Sequence, residues 1–279
     1  MTSVLITGCS SGIGHATAEL LQAHGHDVYA TARRPETIAD LAERGCRTLA
    51  LDVTDEESMS AAVTEVNQAT GGIDVLINNA GYSQSGAVES VPRQDVRRQF
   101  ETNVFGLLRM CQLVLPGMRE RGQGKIVNIG SMGGRLTFPG GGIYHATKYA
   151  LEAISDAMRF EVRGFGVDVI LIEPGLITTG FGEVASGSVD RAAQGTDDPY
   201  ASFNRHVAKI TAAAYEGPMV KLGGGPEKVA ETIAKAIAAR RPKARYPVTP
   251  SAHLMIGQRR ITPDRVWDLM MRAQFPTPE

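Results

Sequence analysis

Six short runs rich in β-branched and other apolar residues recur along the chain: Ser3–Thr7, Asp27–Thr31, Arg47–Leu51, Val75–Asn78, Lys125–Ile129 and Asp168–Ile172. Longer segments with apolar residues at helical spacing separate them: Ile13–His24, Glu36–Arg44, Asp55–Thr70, Pro92–Arg121 and Gly142–Gly164. Strand alternating with helix leaves little choice of architecture. Parallel strands need a crossover connection, and a crossover helix must bury its apolar stripe on a face of the sheet. Gly25, Gly45 and Gly71 are the expected helix stops. Glu227–Arg240 resumes a helix, Arg245–Val248 adds a seventh strand, and Ala252–Gln274 reads as an apolar helix broken at Pro263. The expected fold is therefore α/β, a doubly wound, mostly parallel seven-stranded sheet flanked by helices, with a C-terminal helical extension over 249–279. No low-complexity linker or long-period repeat divides the 279 residues, so they are expected to form one domain. From Leu176 to about Pro226 the periodicity gives way to Gly, Ser, Asp and Pro, the pattern of a loop that frames a ligand.

Charge and cysteine usage narrow the partners. With 29 Lys+Arg against 30 Asp+Glu there is no basic field for nucleic acid. Cys9, Cys46 and Cys111 are odd in number and far apart, with no CxxC pair, which argues against a disulfide framework or a metal site and fits a reducing cytoplasm. The chain enters the strand Val4–Ile6 with no charged leader, and no run approaches the roughly 18 apolar residues of a membrane span. Small molecules are the expected partners.

Thr7-Gly8-Cys9-Ser10-Ser11-Gly12-Ile13-Gly14 joins the first strand to the first helix. Gly8 permits a sharp turn, Gly12 lets backbone approach a pyrophosphate, and Gly14 allows close packing of helix on strand, while the helix N-terminus attracts the anion. A phosphate loop ending in Gly-Lys-Ser/Thr is absent, which disfavours ATP chemistry. An acidic side chain near the end of the second strand would bind an adenosine 2′-hydroxyl; here the sequence reads Thr31-Ala32-Arg33-Arg34. Guanidinium groups suit a 2′-phosphate, so NADP(H) is expected over NAD(H).

Tyr144 and Lys148 are four residues apart and share a helix face, where a lysine charge stabilises a phenolate. Ser131 follows the strand Lys125–Ile129, at the carboxyl edge of the sheet, where its hydroxyl can polarise a carbonyl. The order of glycine loop, Asn78-Asn79-Ala80-Gly81, Asn103, Ser131, Tyr144-x-x-x-Lys148 and Pro174-Gly175 closely resembles the short-chain dehydrogenase/reductase family, over about residues 2 to 180. The resemblance implies a Rossmann domain carrying hydride between a nicotinamide cofactor and an alcohol or carbonyl carbon. It implies that Tyr144 is the general acid/base, that Ser131 orients substrate, and that Asn103 orders a relay water near Lys148. Lys148 would hold the nicotinamide ribose and lower the tyrosine pKa.

On the cofactor side the resemblance implies contacts from Gly8, Ser10, Ser11, Gly12, Ile13 and Gly14. Asp52 and Val53 would meet adenine, Asn79, Ala80 and Gly81 the adenosine-side ribose and sheet, and Pro174, Gly175, Ile177 and Thr179 the nicotinamide end. Asp52 also reads as a helix N-cap. Many NADP-preferring relatives carry Lys or Arg where this chain has Ser11, which leaves the discrimination to Arg33, with Arg34 either assisting or facing solvent.

The extended tail and Tyr29-Ala30-Thr31-Ala32-Arg33 resemble the branch containing 17β-hydroxysteroid and retinol dehydrogenases, which implies a bulky hydrophobic substrate. Met219, Met255, Met270, Met271, Phe203 and Trp267 are either its apolar pocket or core. His145 and Gln84 face either substrate or water. The long helices at Pro92–Arg121 and Gly142–Gly164 resemble those that pair subunits in this family, implying a homodimer or homotetramer. A redox-neutral epimerase or dehydratase and a noncatalytic dinucleotide sensor are the alternatives; product analysis separates them, a net redox change marking the dehydrogenase, a redox-neutral product the epimerase and no product the sensor.

Overall fold

The computed structural model describes residues 1–178, 198–216 and 221–277, the side chains of 214–216 excepted. Its seven strands are β1 (Ser3–Ile6), β2 (Asp27–Ala32), β3 (Arg47–Ala50), β4 (Val75–Asn78), β5 (Gly124–Ile129), β6 (Val167–Glu173) and β7 (Arg245–Pro247). They form one sheet in the order β3-β2-β1-β4-β5-β6-β7, with every pairing parallel. Each lies within one residue of the expected run at either end. Because β2 and β3 step away from β1 in one direction and β4 to β7 in the other, the strand order reverses between β1 and β4, opening a crevice at their carboxyl ends.

Side chains alternate across the sheet, so each strand feeds two cores. Val4, Ile6, Val28, Ile77, Val127 and Ile170 pack on α1 (Gly12–Ala23) and on a late helix through Val229 and Ile233. Leu5, Tyr29, Leu76, Ile126 and Val169 face the other way, onto α3 (Glu56–Thr70) and two further helices described below. Gly25, Gly45 and Gly71 all adopt positive φ at helix ends, as the expected stops require. Asp55, rather than Asp52, caps α3 by accepting from the Ser58 N–H at 3.0 Å.

Three stretches differ from expectation. Glu36–Arg44 is a 3₁₀ turn, Pro35–Ile38, followed by the short α2 (Ala39–Glu43). Pro92–Arg121 is not one regular helix: α4 (Arg93–Phe100) widens into a π turn over Glu101–Gly106 before α5 (Leu107–Arg121). The wide turn carries Asn103 inward, and a one-turn widening does not disturb an apolar stripe enough to be read from it. After α6 (Gly142–Val162), the region expected to be irregular holds α7 (Ala201–Glu216). Asn204 sits fully buried on the apolar face of α7, accepting from the Ala87 N–H at 2.9 Å, and this polar residue masks the stripe of Phe203, Val207 and Ile210.

The C-terminal part continues with α8 (Pro226–Ala238), α9 (Pro250–Ile261) and α10 (Asp264–Gln274), the last two parted at Pro263 as expected. Phe203, Val207, Trp267, Met271 and Phe275 make a third apolar cluster with Ala87 and Leu136, beside the crevice. No helix of the described residues is long and apolar enough to cross a membrane.

Gly106 shows how tightly the second core is set. A Cβ there would run into the Val53 carbonyl and come within 2.9 Å of the Val53 Cβ. Alanine in a helix gains up to about 1 kcal/mol over glycine, but overpacking costs about 1–3 kcal/mol. Gly106→Ala is therefore expected to lower stability by about 1–2 kcal/mol in urea unfolding; a neutral or stabilising result would mean that α5 slides freely past Val53.

Candidate active site

The crevice is a cleft of about 1440 Å³, running from the β1–α1 loop past the ends of β4 and β5 to α7 and the C-terminal helices. Gly8, at φ +73, has its hydrogen directed at the β4 end, where a Cβ would stand 2.8 Å from the Ala80 Cα. Gly14 is equally constrained, since its Cβ would strike the Gly8 carbonyl and the Asn79 amide. Ser11 precedes α1 in extended conformation and makes no side-chain capping bond, and the first turn holds no acidic residue. The leading N–H groups of α1 are thus available to an anion.

The two halves of the sheet are tied by Thr7 and Asn79. The Thr7 hydroxyl accepts from the N–H groups of Asn79 and Ala80, both at 3.0 Å, and the Asn79 amide donates to the carbonyls of Thr7 and Gly8 at 3.0 and 2.8 Å. Asp52 folds back on itself, accepting from the Thr54 N–H and hydroxyl at 2.9 and 2.8 Å, with Val53 beside it on the cleft wall. Arg33 lines the cleft, whereas Arg34 does not; the Arg34 carbonyl starts the following 3₁₀ turn by accepting from Thr37.

Ser131, Tyr144 and Lys148 converge on the cleft. Ser131 ends the β5 connection, and its hydroxyl accepts from the Gly133 N–H at 3.0 Å. Lys148 lies one helical turn beyond Tyr144, with Nζ 5.8 Å from the centre of the tyrosine ring. That ammonium donates to the carbonyl of Ile129, the last residue of β5, at 2.8 Å. Burial lowers its pKa to about 8, from an ordinary value near 10.5.

Asn103 stands behind the cleft rather than on it. Its amide is 1% exposed, accepts from the Tyr82 N–H at 3.1 Å, and donates to the Tyr82 carbonyl at 3.0 Å and to the Thr147 hydroxyl at 3.2 Å. Thr147 in turn donates to the Tyr144 carbonyl at 2.7 Å. The side chain thus anchors the loop after Gly81 to the helix that carries Tyr144. Gly14 and Arg34 are the other expected residues off the wall, and Thr179 lies outside the described residues.

Several contributors carry no signal in the sequence. Thr7 acts through Asn79 and Ala80 and Thr147 through Asn103, all far along the chain, and Gln99, in a run of charged residues, is fully buried and donates to the Tyr82 carbonyl at 2.7 Å. Gln84 faces protein: its N–H donates to Gln99 at 3.0 Å, while its neighbours Ser83 and Ser85 line the cleft. His145 also lines the cleft but is 8% exposed; its Nδ1 meets the Gly133 carbonyl at 2.9 Å, and burial lowers its pKa, so the ring is neutral with Nδ1–H as donor. Met255 and Phe275 reach the cleft, Phe203, Trp267, Met270 and Met271 pack beneath, and Met219 lies outside the described residues.

The family model of the short chain dehydrogenases matches residues 2–187. The chain belongs to that family. It is similar to the 3-ketodihydrosphingosine reductase of Bacteroides thetaiotaomicron, 37% identical over 98% of this chain and 97% of the relative. It is also 34% identical to the NADPH-dependent 3-dehydrocapnine reductase of Ornithobacterium rhinotracheale, over 96% of this chain and 95% of the relative. The crystal structure of a short-chain dehydrogenase from Streptomyces avermitilis superposes with a TM-score of 0.80 at 34% identity, covering 98% of both chains. As a short chain dehydrogenase, the protein is an oxidoreductase with a Rossmann-like fold, of a family that binds nicotinamide dinucleotides.

A buried lysine with no carboxylate partner among the described residues is a standing cost to the fold. The native state holds this proton less tightly than the unfolded chain, so stability rises with pH between about 8 and the ordinary lysine value near 10.5. Lys148→Met is expected to stabilise the ligand-free protein at pH 7 by about 1–3 kcal/mol, after allowing for the lost bond to Ile129. Urea unfolding at pH 7 and pH 10 checks this, with the gain shrinking at the higher pH.

Proposed function

We propose that this protein is an NADPH-dependent reductase, reversible in principle, that converts a ketone on a long apolar chain to an alcohol. The observation that carries the reading is the seat of Lys148: a buried ammonium held on the end of β5, 5.8 Å from the Tyr144 ring, on the cleft that the glycine loop opens.

The residues fit a dinucleotide. Gly8, Gly12 and the unblocked start of α1 suit the pyrophosphate, aided by Ser10, Ser11 and Ile13 on the wall; Asp52 and Val53 border the adenine end, and Asn79, Ala80 and Gly81 the adjoining ribose. Pro174, Gly175 and Ile177 flank the far end, with Thr179 joining them by family resemblance. Arg33 on the wall, with no acidic residue beside it at the end of β2, favours a 2′-phosphate over a free hydroxyl. When bound, the nicotinamide supplies the hydride equivalent.

The chain supplies everything else. The Ser131 hydroxyl orients the carbonyl oxygen of the substrate by hydrogen bonding. Tyr144 donates its phenolic proton to that oxygen as charge develops there, and the nearby Lys148 cation stabilises the resulting phenolate. Asn103 fixes the frame in which this happens, through Tyr82 and Thr147.

Phe138, Val207, Ile210, Met255 and Phe275 give the substrate half an apolar wall, while Ser83, Ser85 and His145 supply polar atoms. This pairing suits an amphiphile whose carbonyl lies near a polar head. The names of the two reductase relatives, acting on 3-ketodihydrosphingosine and 3-dehydrocapnine, favour a long chain over a compact steroid- or retinoid-like ring system. Phe105, Tyr149 and Phe160 stand exposed on the π turn and α6, which supports pairing of subunits there. Three free, buried thiols accord with a reducing compartment such as the cytoplasm.

NADPH should bind more tightly than NADH in a fluorescence titration, and Arg33→Ala should erase the preference by weakening NADPH about ten- to a hundredfold. Unaltered preference in that variant would remove Arg33 from the cofactor site. Tyr144→Phe should bind NADPH normally and lose about 10²–10⁴-fold in kcat with a long-chain 3-ketone. Near-normal turnover would exclude Tyr144 as the proton donor.

A further inference from the structure

One group of ionisable side chains behind the cleft, built around two buried carboxyls, has no part in the chemistry above. Glu173, the last residue of β6, is 1% exposed, and Glu152, on α6 one turn past Lys148, is 8% exposed. Arg135 Nη1 donates to Glu173 Oε1 at 3.3 Å and stands 3.9 Å from Glu152 Oε2. From β7, Arg245 donates through Nε to Glu152 at 2.9 Å and through Nη2 to Asp156 at 2.6 Å, with Nε 3.8 Å from Glu173. Arg159 closes the outer edge on Asp156 at 2.6 Å.

Each inner member adjoins a part of the cleft. Arg135 follows the Ser131 loop directly, and Glu173 directly precedes the Pro174-Gly175 turn. Those two segments already touch, since the Met132 N–H donates to the Pro174 carbonyl at 2.9 Å. Gly134 seats the loop on α6 so closely that a Cβ would stand 2.9 Å from the Lys148 carbonyl and 3.2 Å from Glu152 Oε1. The cluster therefore occupies the junction of the Ser131 loop, the Pro174-Gly175 turn and the helix bearing Tyr144 and Lys148.

Stability alone is a poor reason for such a cluster, because desolvating charges commonly offsets their attraction, and apolar replacements are often as stable. A planar guanidinium fork does supply direction, holding a carboxylate at a set distance and angle. We propose that Arg135, Glu152 and Glu173 are positioning residues that lock the Ser131 loop and the Pro174-Gly175 turn onto α6. They thereby set the spacing of Ser131, Tyr144 and Lys148 and the seat of the nicotinamide end. The inference rests on the reductase reading of the cleft.

The closeness of the two carboxyls supports it. Among the described residues Glu152 Oε1 is buried with no hydrogen-bond partner, and both carboxyls share the same two guanidiniums, Arg135 Nη1 at 3.9 and 3.3 Å and Arg245 Nε at 2.9 and 3.8 Å from Glu152 and Glu173. A proton held between the two carboxyls supplies the missing donor. Burial, followed by the neighbouring Glu173 charge, raises the Glu152 carboxyl to about 7 against the pull of Arg245. With that proton in place, Glu173 keeps its bond from Arg135, and Asp156 keeps those from Arg245 and Arg159. A glutamine at 152 can accept from Arg245 and donate to Glu173, so it reproduces the protonated geometry.

The test uses the full chain and the variants Arg135→Leu, Arg135→Lys, Glu152→Gln and Glu152→Leu. Each is assayed for NADPH affinity by fluorescence, for kcat and KM with a long-chain 3-ketone, and for urea stability. Arg135→Leu and Glu152→Leu should weaken NADPH binding and lower kcat about ten- to a hundredfold, the scale of a misplaced reactive group. Glu152→Gln should stay within about threefold of wild type at pH 7, and Arg135→Lys, which keeps the charge without the fork, should fall between. Because the native state holds an extra proton on Glu152, wild-type stability should fall as pH rises from about 4.5 through 7, and Glu152→Gln should remove that fall. Leucine variants with lowered stability but wild-type kcat, KM and NADPH affinity would reduce the cluster to a structural tie and overturn the proposal. If they do not fold, a fully active Arg135→Lys or a strongly impaired Glu152→Gln overturns it instead. Failure of wild type to bind NADPH would overturn the reductase reading itself, and this inference with it.

Discussion

The close approach of the β1–α1 turn to the end of β4 is the constraint on which the cleft depends. Gly8 meets Ala80 where no side chain fits, Gly14 backs onto the Gly8 carbonyl, and Thr7 and Asn79 close the contact with four hydrogen bonds. Two strands that hydrogen-bond side by side but send the chain in opposite directions would otherwise leave a gap lined with unpaired backbone groups. Here the gap is closed at its base by side chains and left open above, where the N–H groups of α1 face the cleft. The anion-binding end and the sheet's topology are thus one feature.

Desolvation sets the electrostatics next to that base. The Ile129 carbonyl holds Lys148 Nζ 5.8 Å from the centre of the Tyr144 ring, in an enclosure that lowers its pKa to about 8; on the proposed reading the same enclosure strengthens its action on the neighbouring phenol. The surroundings are rigid for related reasons: the Asn103 amide is spent on Tyr82 and Thr147, and the Arg135, Glu152 and Glu173 group fills the junction behind Ser131. The Ser131 loop meets the Pro174-Gly175 turn through the Met132–Pro174 backbone bond and α6 through the Gly133–His145 bond.

Much of this was legible before the fold was known, because periodicity and glycine placement are local properties. The strand ends fall within a residue of the apolar runs, and Gly25, Gly45 and Gly71 stop their helices where a left-handed residue is needed. Helix α7 escaped notice because Asn204 interrupts its apolar face, and a buried polar residue becomes intelligible only once Ala87 is seen beside it. The π turn at Asn103 was hidden for the same kind of reason, since the partner of its buried amide is the backbone of Tyr82, twenty-one residues away. The sequence put Arg33 first and left Arg34 either assisting or facing solvent; Arg33 lines the cleft and Arg34 does not, since the chain turns after them into the 3₁₀ segment.

By itself the sequence determined the alternation that makes a parallel sheet, the glycines that let backbone approach backbone, and the helical spacing of Tyr144 and Lys148. All of these follow from interactions a few residues long. The tertiary structure alone decided that Asn103 stands behind the cleft, that Gln84 turns inward while Ser83 and Ser85 line the wall, and that the buried Glu152 and Glu173 meet the more exposed Arg135 and Arg245. Those outcomes depend on burial and on partners tens of residues away, and a side chain's electrostatic character is fixed only when its surroundings have excluded water.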